Sequence, residues 1–151
     1  MTQINIRYID HGEGTFPLGQ VDKPADEWVD LYTAETVTIQ PLHAARVPLG
    51  LAMQLPANTE AIVAARSSLF RKHHVMLANN IGIIDNSYAG DNDEWQAELL
   101  AFEETTIPAG TRIAQFRLLP NQSQLFGDVM FNEVDHLSAP DRGGFGSTGT
   151  N

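Results

Sequence analysis

Apolar and polar residues alternate with a period of two along most of the chain, which is the pattern of strands that bury one face. Ile4, Ile6 and Tyr8 alternate with Asn5 and Arg7 and predict a first strand. Thr36 to Ile39, Val47 to Leu55 and Glu60 to Ala65 predict three more, with Gln40-Pro41 and Pro56-Ala57-Asn58 as breaks. Pro48 lies near the start of its strand, where a missing N–H is tolerated. Trp95, Ala97, Leu99 and Ala101 alternate with Gln96, Glu98 and Leu100 in a further strand. Arg112 to Leu118 follows the turn Pro108-Ala109-Gly110, and Asp128 to Phe131 gives a last strand pattern. Asp10 to Ala25, interrupted by Gly12, Gly14, Pro17, Gly19 and Pro24, reads as irregular loop. Only Arg66 to His74 has helical character, about two turns, with Ser67 or Ser68 placed to cap it. Short strands with frequent turn signals predict an all-β sandwich or barrel-like domain.

The middle of the chain breaks the simple pattern. Asn79-Asn80-Ile81-Gly82-Ile83-Ile84 reads as strand, and Asp85-Asn86-Ser87 as a turn whose short polar side chains bond back to the backbone. Tyr88 follows, and Gly90 permits a second bend. The expected shape is a hairpin-like finger with a carboxylate at its tip and an aromatic ring beside it. On these residues alone, an ordinary β-hairpin with a turn aspartate remains equally open.

Composition narrows the partners. A chain of 151 residues with 42% hydrophobic content is one domain with a real core. The absence of cysteine removes disulfides, thiolate metal sites and a thiol nucleophile, and suits a reducing cytoplasm. No apolar run approaches the ~20 residues of a membrane span, and Met1 to Tyr8 lacks a signal-peptide pattern. A formal charge of −10 argues against nucleic acid as a partner. None of the five histidines stands at ligand spacing with another histidine or a carboxylate pair.

Two stretches can bind anions. Arg66-Ser67-Ser68 places a guanidinium and two hydroxyls at the start of the predicted helix, which also fits a plain capped surface helix. Gly144-Phe145-Gly146-Ser147-Thr148-Gly149 has the glycine spacing of a dinucleotide fingerprint, but that fingerprint must open a helix, and the sequence runs only two residues further. What remains is an arm of glycine, one aromatic ring and many backbone N–H groups, able to order around a polyanion. Asp91-Asn92-Asp93-Glu94 lacks the spacing of a calcium loop and reads as an exposed loop tip.

Five stretches, in order, resemble the motifs of the trimeric dUTP diphosphatase (dUTPase) family. They are Val29-Asp30-Leu31-Tyr32, Arg66-Ser67-Ser68-Leu69, the finger from Asn79 to Gly90, Gly110-Thr111-Arg112-Ile113-Ala114-Gln115, and Gly143-Gly144-Phe145-Gly146-Ser147-Thr148-Gly149. The first departs from the family, which usually has a small residue and glycine where Trp28 and Val29 stand. In the last, the family's arginine falls at Pro140, and Arg142 lies directly against Gly143 instead.

The resemblance implies a jelly-roll-like β domain over residues 1–138 with a short helix after the second motif. It implies a closing arm over 139–151 and a homotrimer with sites between subunits. It implies hydrolysis of dUTP to dUMP and pyrophosphate with Mg2+, in the cytoplasm, or a host's cytoplasm if the gene is phage-borne. Asp85 would be the general base and Asp30 would hold the water shell of the metal. Arg66, Ser67, Ser68, Gln115, Arg142, Ser147 and Thr148 would meet the phosphates. Asn79, Gly82, Ile83, Tyr88 and Phe145 would hold base and sugar. Two rivals are a dCTP deaminase of the same fold, for which Glu98 could supply the glutamate, and a non-catalytic nucleotide-binding or regulatory homologue.

Overall fold

The computed structural model describes residues 2–19 and 27–141. Among them the strands are β1 (Asn5–Tyr8), β2 (Val29–Tyr32), β3 (Val37–Ile39), β4 (Ala44–Pro48), β5 (Leu51–Gln54) and β6 (Thr59–Ala65). They continue as β7 (Val75–Leu77), β8 (Ile81–Asp85), β9 (Gln96–Ala101), β10 (Thr105–Ile107) and β11 (Arg112–Pro120). Two short helices, α1 (Leu69–His73) and α2 (Gln122–Phe126), complete the described elements. One sheet has the order β2-β11-β6-β8 and a second β4-β9-β7, with the separate pairs β1-β5 and β10-β3. Every pairing is antiparallel.

The core lies where the inner faces meet. Leu31, Ala61, Val63, Ile113, Ala114 and Phe116 come from the four-stranded sheet, and Val47, Val75, Leu77, Ala97, Leu99 and Ala101 from the three-stranded one. Burying a large side chain of this kind contributes about 1.5–3 kcal/mol. Trp95 stands edge-on to Phe116, with centroids 5.2 Å apart. A bulge between Arg112 and Ala114 turns the consecutive residues Ile113 and Ala114 both inward.

Several expectations are corrected. Val47 to Leu55 is two strands, because the chain breaks at Leu49-Gly50 and passes from the three-stranded sheet to the β1 pair. Gly50 has φ 69°, and a Cβ there would lie 3.0 Å from the Ala34 Cβ, so the break requires glycine. The finger is no hairpin. β8 pairs with β6, whereas β9 pairs with β4 and β7, so residues 86–95 cross from one sheet to the other. The predicted helix is one short element, and Ser68 occupies its N-cap without a side-chain bond. Asp128 to Phe131 is not a strand, and the unpredicted α2 precedes it, capped by the Asn121 side chain, which accepts from the Gln124 N–H at 3.1 Å.

Candidate active site

β8 is an edge strand of the four-stranded sheet and alternates sharply. Gly82 and Ile84 turn inward, while Ile81, Ile83 and Asp85 turn outward and are exposed. The strand stops at Asp85 because the following turn uses that residue twice. The Ser87 N–H donates to Asp85 Oδ1 at 2.8 Å, and the Tyr88 N–H donates to the Asp85 carbonyl at 3.0 Å. The Ser87 hydroxyl, and after it the Ser87 N–H, holds the Asp85 carboxyl below the usual carboxylate range. The group is therefore ionised at neutral pH and able to accept a proton, at some cost in basicity. The Tyr88 ring is 40% exposed, and its hydroxyl donates to the Glu94 carbonyl at 3.1 Å. At the other end of β8, Asn80 turns the chain with φ 63°. The Asn79 amide nitrogen lies 4.0 Å from where a Gly82 side chain would begin. Gly82 faces inward against Val63, while the Asn79 amide and Ile83 beside it are exposed.

The predicted phosphate residues gather at the end of the same sheet. Arg66, Ser67 and Ser68 link β6 to α1. The Arg66 Nε lies 2.9 Å from Asp30 Oδ1, and the Arg112 Nη1 lies 3.2 Å from Asp30 Oδ2. Gln115 stands opposite Asp30 on β2 and opposite Ala64 on β6, and its Nε2 donates to the Ala65 carbonyl at 3.3 Å. Directly opposed residues of antiparallel strands share a face. Asp30, Gln115, Ala64 and Ile81 therefore form one rung of the sheet's outer face. Arg117, Ile62 and Ile83 form the next, and Glu60 and Asp85 the next again.

This register sets what one chain can bring together. Asp85 is four residues down β8 from the Gln115 rung, about 13 Å along the strand. The carboxylate and the predicted phosphate residues thus share a face at that separation. Arg142, Phe145, Ser147 and Thr148 lie outside the described residues. Sequence reasoning missed Arg112 as a site residue, although it stands inside the fourth motif. It also missed Glu94, whose role is invisible without the packing of distant loops. Glu98 faces outward on β9 of the other sheet, opposite Arg46.

Among the described residues no group of three or more histidine, cysteine or acidic side chains could hold a metal ion. Both Asp30 oxygens already face a guanidinium. A carboxylate has about four lone-pair sites, so Asp30 retains room for a water but fits no direct metal bond here.

Comparison with known proteins gives the family. The dUTPase family model matches residues 20–149. A prophage-derived deoxyuridine 5'-triphosphate nucleotidohydrolase, YosS of Bacillus subtilis, is 42% identical over 148 residues, 98% of this chain and 99% of the relative. A Staphylococcus bacteriophage 80alpha dUTPase with dUpNHpp superposes with TM-score 0.75 at 18% identity, covering 99% of this chain and all of the other. The dUTPase of phage phi11 of S. aureus, described with a structural Mg(II) ion, superposes with TM-score 0.67 at 16% identity over 91% of this chain and 98% of its own. The all-β fold is thus the dUTPase fold, and the chain belongs to the dUTPase family.

Proposed function

We propose that this protein hydrolyses dUTP to dUMP and pyrophosphate, with Asp85 as the general base. The observation that carries the reading is an ionised carboxylate on a rigid turn, one short step from an exposed tyrosine, in a member of this family. Asp85 takes a proton from a water whose oxygen bonds to the α-phosphorus. The bond from that phosphorus to the bridging oxygen breaks, and pyrophosphate leaves with the electron pair. Arg66, Ser67, Ser68 and Gln115 neutralise the phosphates, joined by Arg142, Ser147 and Thr148 of the arm. Asn79, Gly82 and Ile83 hold uracil, Phe145 stacks on it, and Tyr88 packs where a ribose 2′-hydroxyl would sit. A Mg2+ ion bound to the phosphates would supply further charge neutralisation, with Asp30 within reach of its water shell.

The site is completed in a homotrimer. Two features support this. The carboxylate and the phosphate cluster are separated along one face, so a neighbouring chain must supply the missing half at each. In addition, Leu125, Phe126, Met130, Phe131 and Leu137 are 60–93% exposed, an apolar run that asks for a protein surface. The protein acts in a cytoplasm, its own cell's or a host's. The deaminase reading is disfavoured because Glu98 lies on the opposite sheet from Asp85. The test is a substrate panel with Mg2+. Pyrophosphate release from dUTP without ammonia release from dCTP is expected, and the reverse result overturns the proposal.

A further inference from the structure

The acidic stretch after Tyr88 is only partly the exposed tip that its composition suggests. Asp91 and Asn92 face solvent, but Asp93 turns back, its Oδ2 accepting the Gly90 N–H at 2.7 Å. The Glu94 side chain is only 13% exposed. Its Oε1 accepts the Gly50 N–H at 2.9 Å and is 2.8 Å from the His11 Nε2, which must donate because a carboxylate only accepts. His11 Nδ1 in turn lies 3.7 Å from a Glu35 oxygen. Gly50 itself is fixed, since its carbonyl accepts the Ile9 N–H at 2.8 Å and its φ of 69° admits no side chain. One residue thus joins three segments that are distant in sequence, and its own carbonyl carries the Tyr88 hydroxyl.

We infer that Glu94, braced by His11 and Gly50, is a positioning residue that fixes Tyr88 against the sugar and so sets how strongly ribonucleotides are refused. The inference rests on the sugar role proposed above for Tyr88. The loop between β8 and β9 is ten residues long and crosses between sheets, so neither sheet's ladder holds the ring in place. Its hydroxyl is tied at one point, the Glu94 carbonyl, whose peptide is held on one side by the Trp95 N–H bond to the Leu51 carbonyl at 2.9 Å and on the other by the Glu94 side chain. A ring that tilts opens space for an added hydroxyl, and refusal of such a group depends on leaving it without room or partners. Buried polar anchors of this kind act by narrowing the allowed positions of the group they hold.

The test compares kcat/KM for dUTP with kcat/KM for UTP in a set of variants. Tyr88→Ala comes first, as a check on the reading beneath. If it leaves the ratio unchanged, Tyr88 has no sugar role and the inference falls with that reading. If it lowers the ratio, Tyr88→Phe and Glu94→Ala should each lower it about tenfold, part of the ~10²-fold that a pocket achieves against an added hydroxyl. The double variant should be no worse than either single, because both act through one bond. Glu94→Gln, which keeps an oxygen for the Gly50 N–H, should restore most of the ratio. Should Glu94→Ala fail to fold, His11→Ala removes one brace and should still lower the ratio. A Tyr88-dependent ratio that neither Glu94→Ala nor His11→Ala changes, or effects of Tyr88→Phe and Glu94→Ala that multiply in the double variant, overturns the inference and leaves the sugar role of Tyr88 intact.

Discussion

Asp30 can be asked which of two tasks it performs. The family resemblance makes it a holder of metal-bound water, whereas the geometry makes it the anchor of two arginines. The Asp30→Asn variant separates these. It keeps the shape and one acceptor oxygen but loses the charge that grips Arg66 at 2.9 Å and Arg112 at 3.2 Å. The Arg66 pair is 27% exposed on both sides, and a hydrogen bond between charged partners there is worth about 1.5–3 kcal/mol. Arg112 is 53% exposed, and screening leaves its share below about 1 kcal/mol. A stability loss of about 2 kcal/mol, or ~4–8 °C in Tm, follows.

Substrate binding feels two opposed effects of the same change. Two guanidinium groups, one freed and one held only by a neutral oxygen, must be ordered when phosphate arrives, at about 0.5–1.5 kcal/mol each. Against this, a negative charge near the triphosphate is gone; across ~8 Å of water each phosphate charge contributes about 0.5 kcal/mol before screening, and salt cuts the sum of three or four to under about 1 kcal/mol. Ordering wins by about 1 kcal/mol, which is roughly a fivefold rise in KM for dUTP. The Mg2+ concentration that gives half-maximal rate should not move. Steady-state pyrophosphate release across a grid of dUTP and Mg2+ concentrations measures both quantities. An unchanged KM with a several-fold higher Mg2+ requirement would place Asp30 on the metal and refute the anchoring argument.

Asp85→Asn should lower kcat by ~10²–10⁴-fold while a non-hydrolysable dUTP analogue still binds in calorimetry, because the new amide oxygen can accept the Ser87 N–H; near-normal turnover removes Asp85 as the base. Ser87→Ala removes the hydroxyl that does most to depress the Asp85 pKa. The base works only when ionised, so activity is lost as pH falls through its pKa, and the acid limb of kcat/KM should move to higher pH; a limb that stays put refutes the coupling. Gly50→Ala forces a left-handed conformation costing about 1–2 kcal/mol and puts a methyl 3.0 Å from the Ala34 Cβ, so the urea midpoint should fall clearly, and an unchanged midpoint would contradict the close approach. Ending the chain at Asp141 should leave a folded protein with little turnover, and a normal rate would make the arm dispensable.

What could be read from the sequence was what is local. The β9 alternation is plain because Ala97, Leu99 and Ala101 are buried while Gln96 and Glu98 are exposed. The Asp85-Ser87 turn is equally plain, since its bonds close within two residues. The break at Leu49-Gly50 was hidden because Leu49, Leu51, Ala52 and Met53 are all buried, and a run buried throughout has no period to interrupt. β7 and β10 have three residues each, and unlike β3, where Thr38 alternates with Val37 and Ile39, they show no period of their own in the sequence. The pattern at Asp128 to Phe131 misled because alternation supplies no partner strand, while the better signal, Asn121 as a cap with Gln124 three residues on, announced a helix. In the site, the pairing of Asp30 with Arg66 and Arg112 depends on β2 and β11 being neighbours, and that adjacency leaves no local trace.

The same register bears on the proposed sharing of the site between copies. Ile81 and Ile83 stand outward on an edge strand, 48% and 54% exposed, Ile81 on the rung of Asp30 and Gln115 and Ile83 between it and the Asp85 rung. An exposed edge bearing two isoleucines is a poor surface for a protein alone, because it invites unplanned pairing. In the proposed homotrimer, a neighbouring chain and a uracil ring would cover it, and the carboxylate at its end would meet the Arg66 and Gln115 group of another copy. A base fixed to its own turn and arginines held by their own aspartate need no rearrangement within the chain for this. Assembly of the proposed trimer would then only have to bring preformed halves together, which would keep the ordering cost of catalysis in the fold rather than in each turnover.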